Sequence, residues 1–261
     1  MTVSGLLITK NNGTTLDLAL ASVREYLDEL VIIDDFSTDN TVEIAKKYDA
    51  RVIEHKFEDF SKQRNFGIGQ CKGDWIFTMD ADEVMGENIG EAFPYLTTHS
   101  YRAFLFARYN LVNLDPIVII NSPMHYSEWQ VRMFINDGKC YYQNPVHHQL
   151  QKCHPRLKIP NINIFHLHYL LDDYETRVKR TKYYESIDKD SGGQRAYLFE
   201  DYPHTFRYGI EKPATEIYER MKKELNCVSY DYTVDPEEQR KFENNIKWKT
   251  RMTKLRFHLG I

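Results

Sequence analysis

The stretch Gly73-Asp74-Trp75-Ile76-Phe77-Thr78-Met79-Asp80-Ala81-Asp82-Glu83 restricts the fold more than any other part of the chain. Trp75 to Met79 is an apolar run too short for a helix and suited to a strand buried on both faces. It runs straight into Asp80, Asp82 and Glu83. Carboxylates crowded at the end of a buried strand repel one another and resist desolvation unless a cation or a set of donors offsets them. In open α/β sheets that end of a strand is where ligands bind. If strand geometry continues, Asp80 and Asp82 point the same way, so the pair can hold an oxygen-coordinated Mg2+ or Mn2+ beside a diphosphate. The alternative is a solvated acidic turn that caps the next segment.

The segments before this strand alternate strand and helix. Val3–Thr9 reads as a buried strand, Lys10-Asn11-Asn12-Gly13 as a turn, and 16–26 as a helix from its apolar spacing. A second strand over 30–33 ends in Asp34-Asp35. Asn40, with Glu43 three positions on, is placed to cap a helix over Thr41–Lys47. Arg51–Glu54 is a third strand, and 62–70 a helix closed by Lys72-Gly73. Such alternation implies a parallel sheet with right-handed crossovers. After Glu83 a helix over 88–95 precedes strands over 103–109, Ile117–Ile120, 131–135 and 162–168, an α+β half that builds a wall over the first. From Asp172 onward the pattern is helical, over 174–188, 214–225 and 236–258. The last has Pro236 in its first turn, acids early and Lys/Arg late, as the helix dipole favours. Ser191-Gly192-Gly193 marks the candidate boundary.

Composition removes several function classes. A formal charge of −4 over 261 residues argues against general nucleic-acid binding, which needs a basic surface. Cys71, Cys140, Cys153 and Cys227 form no Cys-x-x-Cys pair and read as reduced residues of a cytoplasmic protein. No basic leader opens the chain, and no run approaches the roughly 20 apolar residues of a membrane span. Gly67-Ile68-Gly69 followed by Gly73 is off the dinucleotide fingerprint in spacing and precedes a strand instead of following one. A P-loop motif is absent. The 18 Tyr and 14 Phe suit a groove that stacks sugars or bases, and equally suit strands and interfaces.

What remains is a set of strand ends that a parallel sheet brings to one edge: Thr9 to Asn11, Asp34/Asp35, and Asp80/Asp82. Asp35 can accept a hydrogen bond from an imide N–H such as that of uracil, while Asp80 and Asp82 take ribose and metal. Arg64, on the helix before the acidic strand, can supply a cation to the base or diphosphate. Ile33-Asp34-Asp35-Phe36-Ser37-Thr38-Asp39-Asn40-Thr41, then Arg64-Asn65, then Gly73-Asp74-Trp75-Ile76 and Asp80-Ala81-Asp82-Glu83 together resemble a family 2 glycosyltransferase of the GT-A fold. The strand that ends in Asp-Ala-Asp-Glu is similar to the branch with lipopolysaccharide-core β-glucosyltransferases. The likeness is strong over about residues 3–85, weaker to about 185 and absent beyond.

The resemblance implies an α/β fold with a Rossmann-like, mostly parallel nucleotide-sugar half over 1–100 and an α+β acceptor half over 101–190. A helical C-terminal extension over 191–261 follows, its mixed charge favouring a cover for the core over a peripheral membrane contact. It implies an inverting transferase that uses a nucleotide-diphosphate sugar, a hydroxyl acceptor such as a glycan, and Mn2+ or Mg2+. Thr9, Asn11, Asp35, Arg64, Asp80 and Ala81 would line the nucleotide sugar, with Asp80 on the ribose and Asp82 on the metal. Glu128-Trp129-Gln130-Val131-Arg132-Met133-Phe134 resembles the family's acceptor-side segment, which makes Glu128 the leading candidate for the base of an inverting transfer. Where relatives in the Asp-Ala-Asp-Glu branch often show Val-His-Glu, this chain has Val146-His147-His148-Gln149, so His147 or His148 is the alternative base. Some GT-A enzymes complete the metal site with a downstream His. His166 and His168, two apart on a strand and facing one side, fit that position, one of them as ligand. The rival readings are a nucleotidyltransferase, which would need a Gly-rich basic segment after the first strand, and a non-catalytic nucleotide-sugar-binding protein.

Overall fold

β1 (Val3–Thr9) is the central strand of a parallel array, with β2 (Glu29–Asp34) on one side and β4 (Trp75–Asp80) on the other. β3 (Arg51–Glu54) pairs with the outer edge of β2. The register sets Leu7 beside Ile32 and Met79, all fully buried, and ends the strands together at Thr9, Asp34 and Asp80. The computed structural model describes residues 1–98, 100–120, 128–146, 149–188, 205–207, 212–229 and 234–259. The helices of this half are α1 (Leu16–Ala21), α2 (Thr41–Lys47) and α3 (Phe60–Ile68). Gly67 of α3 sits so close to β1 that a Cβ would stand 2.5 Å from Leu6 Cδ1, and one on Gly73 would stand 2.7 Å from the Ser4 amide nitrogen. Two of the three near-fingerprint glycines therefore serve close packing.

Three local expectations fail for identifiable reasons. The helix expected over 16–26 ends at Ala21 and resumes as a 3-10 turn over Arg24–Tyr26. Ser22 Oγ donates back to the Ala19 carbonyl at 2.7 Å, an interaction that competes with helix continuation. Asn40 occupies the position before α2, yet its side chain makes no capping bond. Asp39 does that work, with Oδ1 accepting from the Thr41 amide at 3.0 Å and Oδ2 accepting from the Gly13 amide at 2.9 Å. The helix expected over 62–70 begins two residues earlier because Asp59 caps it through the Lys62 amide.

Beyond β4 the sheet changes character. β5 (Glu83–Met85), β6 (Ala103–Leu114), β7 (Ile117–Ile120), β8 (Glu128–Ile135) and β11 (Arg156–His166) extend it, with α4 (Ile89–Leu96) between β5 and β6. β8 enters antiparallel between β4 and β6, and β6 runs parallel to β11. The result is a ten-stranded sheet in the described residues, completed by β12 (Thr205–Arg207) on the edge of β7. β12 is a strand inside the stretch expected to be helical. β9 (Tyr141–Gln143) and β10 (Gln149–Gln151) form a separate hairpin. Phe77, Phe104, Phe106 and Met133 are fully buried between the layers. Each such side chain contributes about 1.5–3 kcal/mol by leaving water.

The remaining helices are α5 (His168–Leu171), α6 (Tyr174–Ile187), α7 (Thr215–Glu224) and α8 (Pro236–Leu259). The strand expected to reach residue 168 stops at His166, because Leu167 turns to helical dihedrals and His168 opens α5. The cysteines also depart from expectation. Cys140 and Cys153, which flank the β9–β10 hairpin, are joined in a disulfide with Cα atoms 5.5 Å apart, while Cys71 and Cys227 are unbonded to other cysteines. The unrecognised hairpin brings the two together. The cytoplasmic expectation loses the support it drew from four reduced thiols. Among the described residues no helix is long and apolar enough to cross a membrane.

Candidate active site

A cavity of about 1060 Å³ opens over the carboxyl ends of β1, β2 and β4. Its wall includes Thr9, Asp35, Arg64, Asp80, Ala81 and Asp82 from the parallel half. Glu128, His166 and His168 face it from the other half. Asn11 does not line it. Its backbone is left-handed at φ 53°, and its Oδ1 accepts from the Thr38 amide at 2.8 Å, which ties the first turn to the loop after β2. His147 and His148 lie outside the described residues.

Asp35 holds the far end of the cavity. Its Oδ2 accepts from Lys10 Nζ at 2.6 Å and its Oδ1 from the Phe57 amide at 3.0 Å. Burial pushes its carboxyl up, and Lys10 with that amide outweighs burial and holds it below the usual carboxylate range. Phe57 meets Phe60 edge-on at 5.0 Å, and Phe60 meets Tyr184 of α6 at 5.7 Å. An aromatic corner thus stands beside Asp35.

At the centre, acids and guanidiniums interlock. Arg64 is 1% exposed and donates to Asp80 Oδ1 and to Thr78 Oγ1. Arg132 donates to Asp80 Oδ2 at 2.9 Å and to the fully buried Glu83. Burial would lower the Arg132 pKa, but the Asp80 and Glu83 charges raise it. Arg108 reaches Glu83 Oε1 at 3.2 Å, Asp80 Oδ2 at 3.7 Å and Glu128 Oε2 at 2.7 Å. Glu128 Oε1 accepts from Gln130 Nε2 at 2.5 Å. The crowded acids are therefore offset by donors, as their position demands. Arg64 and Arg132 lie within recognisable motifs of the sequence, and Arg108 does not. Its signal was a charge inside the otherwise apolar run over 103–109, which a buried strand tolerates only with acidic partners.

Asp82 stands apart from this network. Its Oδ2 lies 3.3 Å from His166 Nε2, and His166 Nδ1 lies 2.7 Å from Asn110 Oδ1. Burial pushes the Asp82 carboxyl up, and His166 in its charged form, with a hydrogen on each ring nitrogen, more than reverses that and holds it well below the ordinary range. His168 lines the cavity but its Nδ1 is engaged by other groups. Its Nδ1 meets Asp172 Oδ2 at 2.9 Å and Arg180 Nη1 at 2.5 Å, and Arg180 also binds Asp172 at 2.6 Å. Among the described residues no group of three or more His, Cys, Asp and Glu side chains forms a ready metal cage. A carboxylate and an imidazole nonetheless fit an ion shared with phosphate oxygens. Two ligands held about 2.1 Å from an octahedral ion, at right angles, stand about 3.0 Å apart. The 3.3 Å between Asp82 Oδ2 and His166 Nε2 is close to that.

A family model for glycosyl transferase family 2 matches residues 4–152, more than half of the chain. The chain belongs to this family. The matched part holds Asp35, Asp80, Asp82 and Glu128 and stops before His166. Among family-2-like relatives, a Rickettsia conorii protein named an uncharacterized glycosyltransferase is 30% identical over 139 residues, 53% of this chain and 46% of that one. The SPbeta prophage-derived glycosyltransferase SunS of Bacillus subtilis is 29% identical over 176 residues, 64% of this chain and 40% of its own. The chain thus matches less than half the length of these relatives. S. aureus TarS, residues 1–349, superposes with a TM-score of 0.47 at 16% identity, covering 77% of this chain and 70% of that one.

Proposed function

We propose that the chain transfers a sugar from a nucleoside-diphosphate sugar, with uridine diphosphate favoured, to a hydroxyl of a glycan acceptor with inversion. The reading rests on one observation in a family 2 chain. A single cavity gathers Asp35, Asp80, Asp82, Glu128 and His166. At about 1060 Å³ it is at the upper end for small-ligand sites, with room for donor and acceptor together. The likeness of Asp-Ala-Asp-Glu to the lipopolysaccharide-core branch favours a hexose donor.

Asp35 accepts the imide N–H of the base, and the Phe57–Phe60–Tyr184 corner supplies apolar faces beside it. Asp80, fixed by Arg64 and Arg132, offers its carboxylate to the ribose. Asp82 and His166 would hold Mn2+ or Mg2+, which supplies neutralising charge for the departing diphosphate. Glu128 is held by Arg108 and Gln130 and takes the proton of the attacking hydroxyl on Oε1.

A screen of nucleotide sugars tests this reading by donor hydrolysis and thermal shift, with Mn2+, with Mg2+ and with chelator. A uridine diphosphate sugar should be cleaved in a metal-dependent way, and Asp82→Asn should lose most of that turnover while folding normally. Full turnover in excess chelator sinks the metal's part in the scheme.

A further inference from the structure

Asn110 is 1% exposed in β6, among the buried residues Tyr109, Leu111 and Val112. Its Oδ1 lies 2.7 Å from His166 Nδ1. Its Nδ2 is buried and meets no hydrogen-bond partner among the described residues. A buried amide with its donors unused is a poor choice for stability, since an apolar side chain of similar shape leaves nothing unpaired. The position needs another reason, and the strand register points to it. β6 and β11 run parallel with Asn110 beside His166, while β5 on the far edge sets Glu83 beside the same histidine.

With its oxygen turned to His166, the Asn110 carboxamide accepts, and Nδ1 of the ring carries a hydrogen in that orientation. In the neutral ring Nε2 then carries the lone pair, and Nε2 is the atom 3.3 Å from Asp82 Oδ2. Without the Asn110 oxygen the opposite tautomer is favoured. Nε2–H would donate to Asp82, and the lone pair would turn away from the cavity. We infer that Asn110 is a positioning residue that locks His166 in its Nδ1–H tautomer, so that Nε2 presents a lone pair beside Asp82 to a divalent cation. The inference rests on the metal-dependent transfer proposed above, and it adds the group that makes the imidazole a ligand instead of a partner for Asp82.

The full chain carrying Asn110→Leu, a change close in volume, gives two readouts. The first is the long-range proton–nitrogen NMR spectrum of His166 in cation-free protein at about pH 9, above the histidine range. The parent should show Nδ1–H and Asn110→Leu should show Nε2–H. Asn110→Asp, which keeps an acceptor in place, should restore Nδ1–H. The second is calorimetric titration of Mn2+ in the presence of UDP, where Asn110→Leu should bind about 10–100-fold more weakly. UDP affinity in chelator should be unchanged. An Nε2–H ring in the parent overturns the inference, as does Mn2+ affinity in Asn110→Leu within about threefold of the parent's, well short of that loss. Should Asn110→Leu fail to fold, the parent and Asn110→Asp spectra decide. A parent that binds no Mn2+ with UDP removes the metal-dependent reading itself, and the spectra still report whether Asn110 sets the tautomer.

Discussion

Glu128 reaches the cavity with both oxygens engaged, Oε2 by Arg108 and Oε1 by Gln130. Those donors fix the carboxylate in the cavity wall, where the proposed transfer would use it as the base. Glu128→Gln preserves the shape and removes the base, so turnover should fall roughly 10²–10⁴-fold with the donor KM nearly unchanged. Steady-state kinetics with a saturating acceptor reads this directly. Unaltered turnover would pass the role to His147 or His148. His168 makes a prediction of a different kind. Burial pushes its pKa down to about 4, against the pull of Asp172. The folded value is lower than the unfolded one, near 6.5, so the unfolded chain takes up the proton first as pH falls. The stability tied to neutral His168 is complete above about pH 6.5 and lost on descent to about pH 4, about 3 kcal/mol in all. Denaturant midpoints at intervals across that window should fall more steeply for the parent than for His168→Gln. Parallel declines would mean that the buried imidazole is not the source.

At the scale of elements, the parallel half was legible because its strands are short apolar runs set between turn residues. The strands Val3–Thr9 and Arg51–Glu54 and the helix Thr41–Lys47 stand where the pattern puts them. Asp35, Asp80 and Asp82 were legible with them, since parallel strands carry their ends to one edge. What the sequence concealed depends on distant pairing. Arg108 meets Glu128 only because β6 and β8 run antiparallel in that register, and Asn110 meets His166 only through β6 and β11. β5, β9, β10 and β12 are each three residues long, too short for any periodicity to register. The disulfide was hidden with its hairpin. Closing that loop constrains the unfolded chain, so its loss should cost about 2–3 kcal/mol. Calorimetry should show Tm falling by several degrees when a thiol reductant is added, and Cys153→Ser should show the lower Tm with or without reductant. A parent Tm indifferent to reductant means that the two sulfurs are not joined in solution.

For the whole molecule the question is what residues beyond 190 do. Ile217, Met221 and Leu225 share one buried cluster with Leu18, Leu114, Ile119 and Phe165. Arg220 pairs with Asp17 of α1, and β12 pairs with β7. A chain cut after residue 190 would bare the partners of those three side chains, each worth about 1.5–3 kcal/mol. Such a fragment should be poorly soluble or melt well below the full chain. A fragment 1–190 with undiminished Tm would instead make 191–261 a separate unit.

The hairpin wall of the cavity also bears on how such a chain can change partners. It leaves and rejoins the body at Cys140 and Cys153, whose Cα atoms are 5.5 Å apart. Tyr142, Val146, Gln149 and Leu150 lie between them and face the cavity. The segment is in effect a cassette with a clasp. A replacement between the two cysteines keeps the gap to be spanned but must still fill the places of Tyr142 and Leu150 in their buried cluster. The strand ends at the other side of the cavity, which carry Asp35 and Asp80, stay as they are.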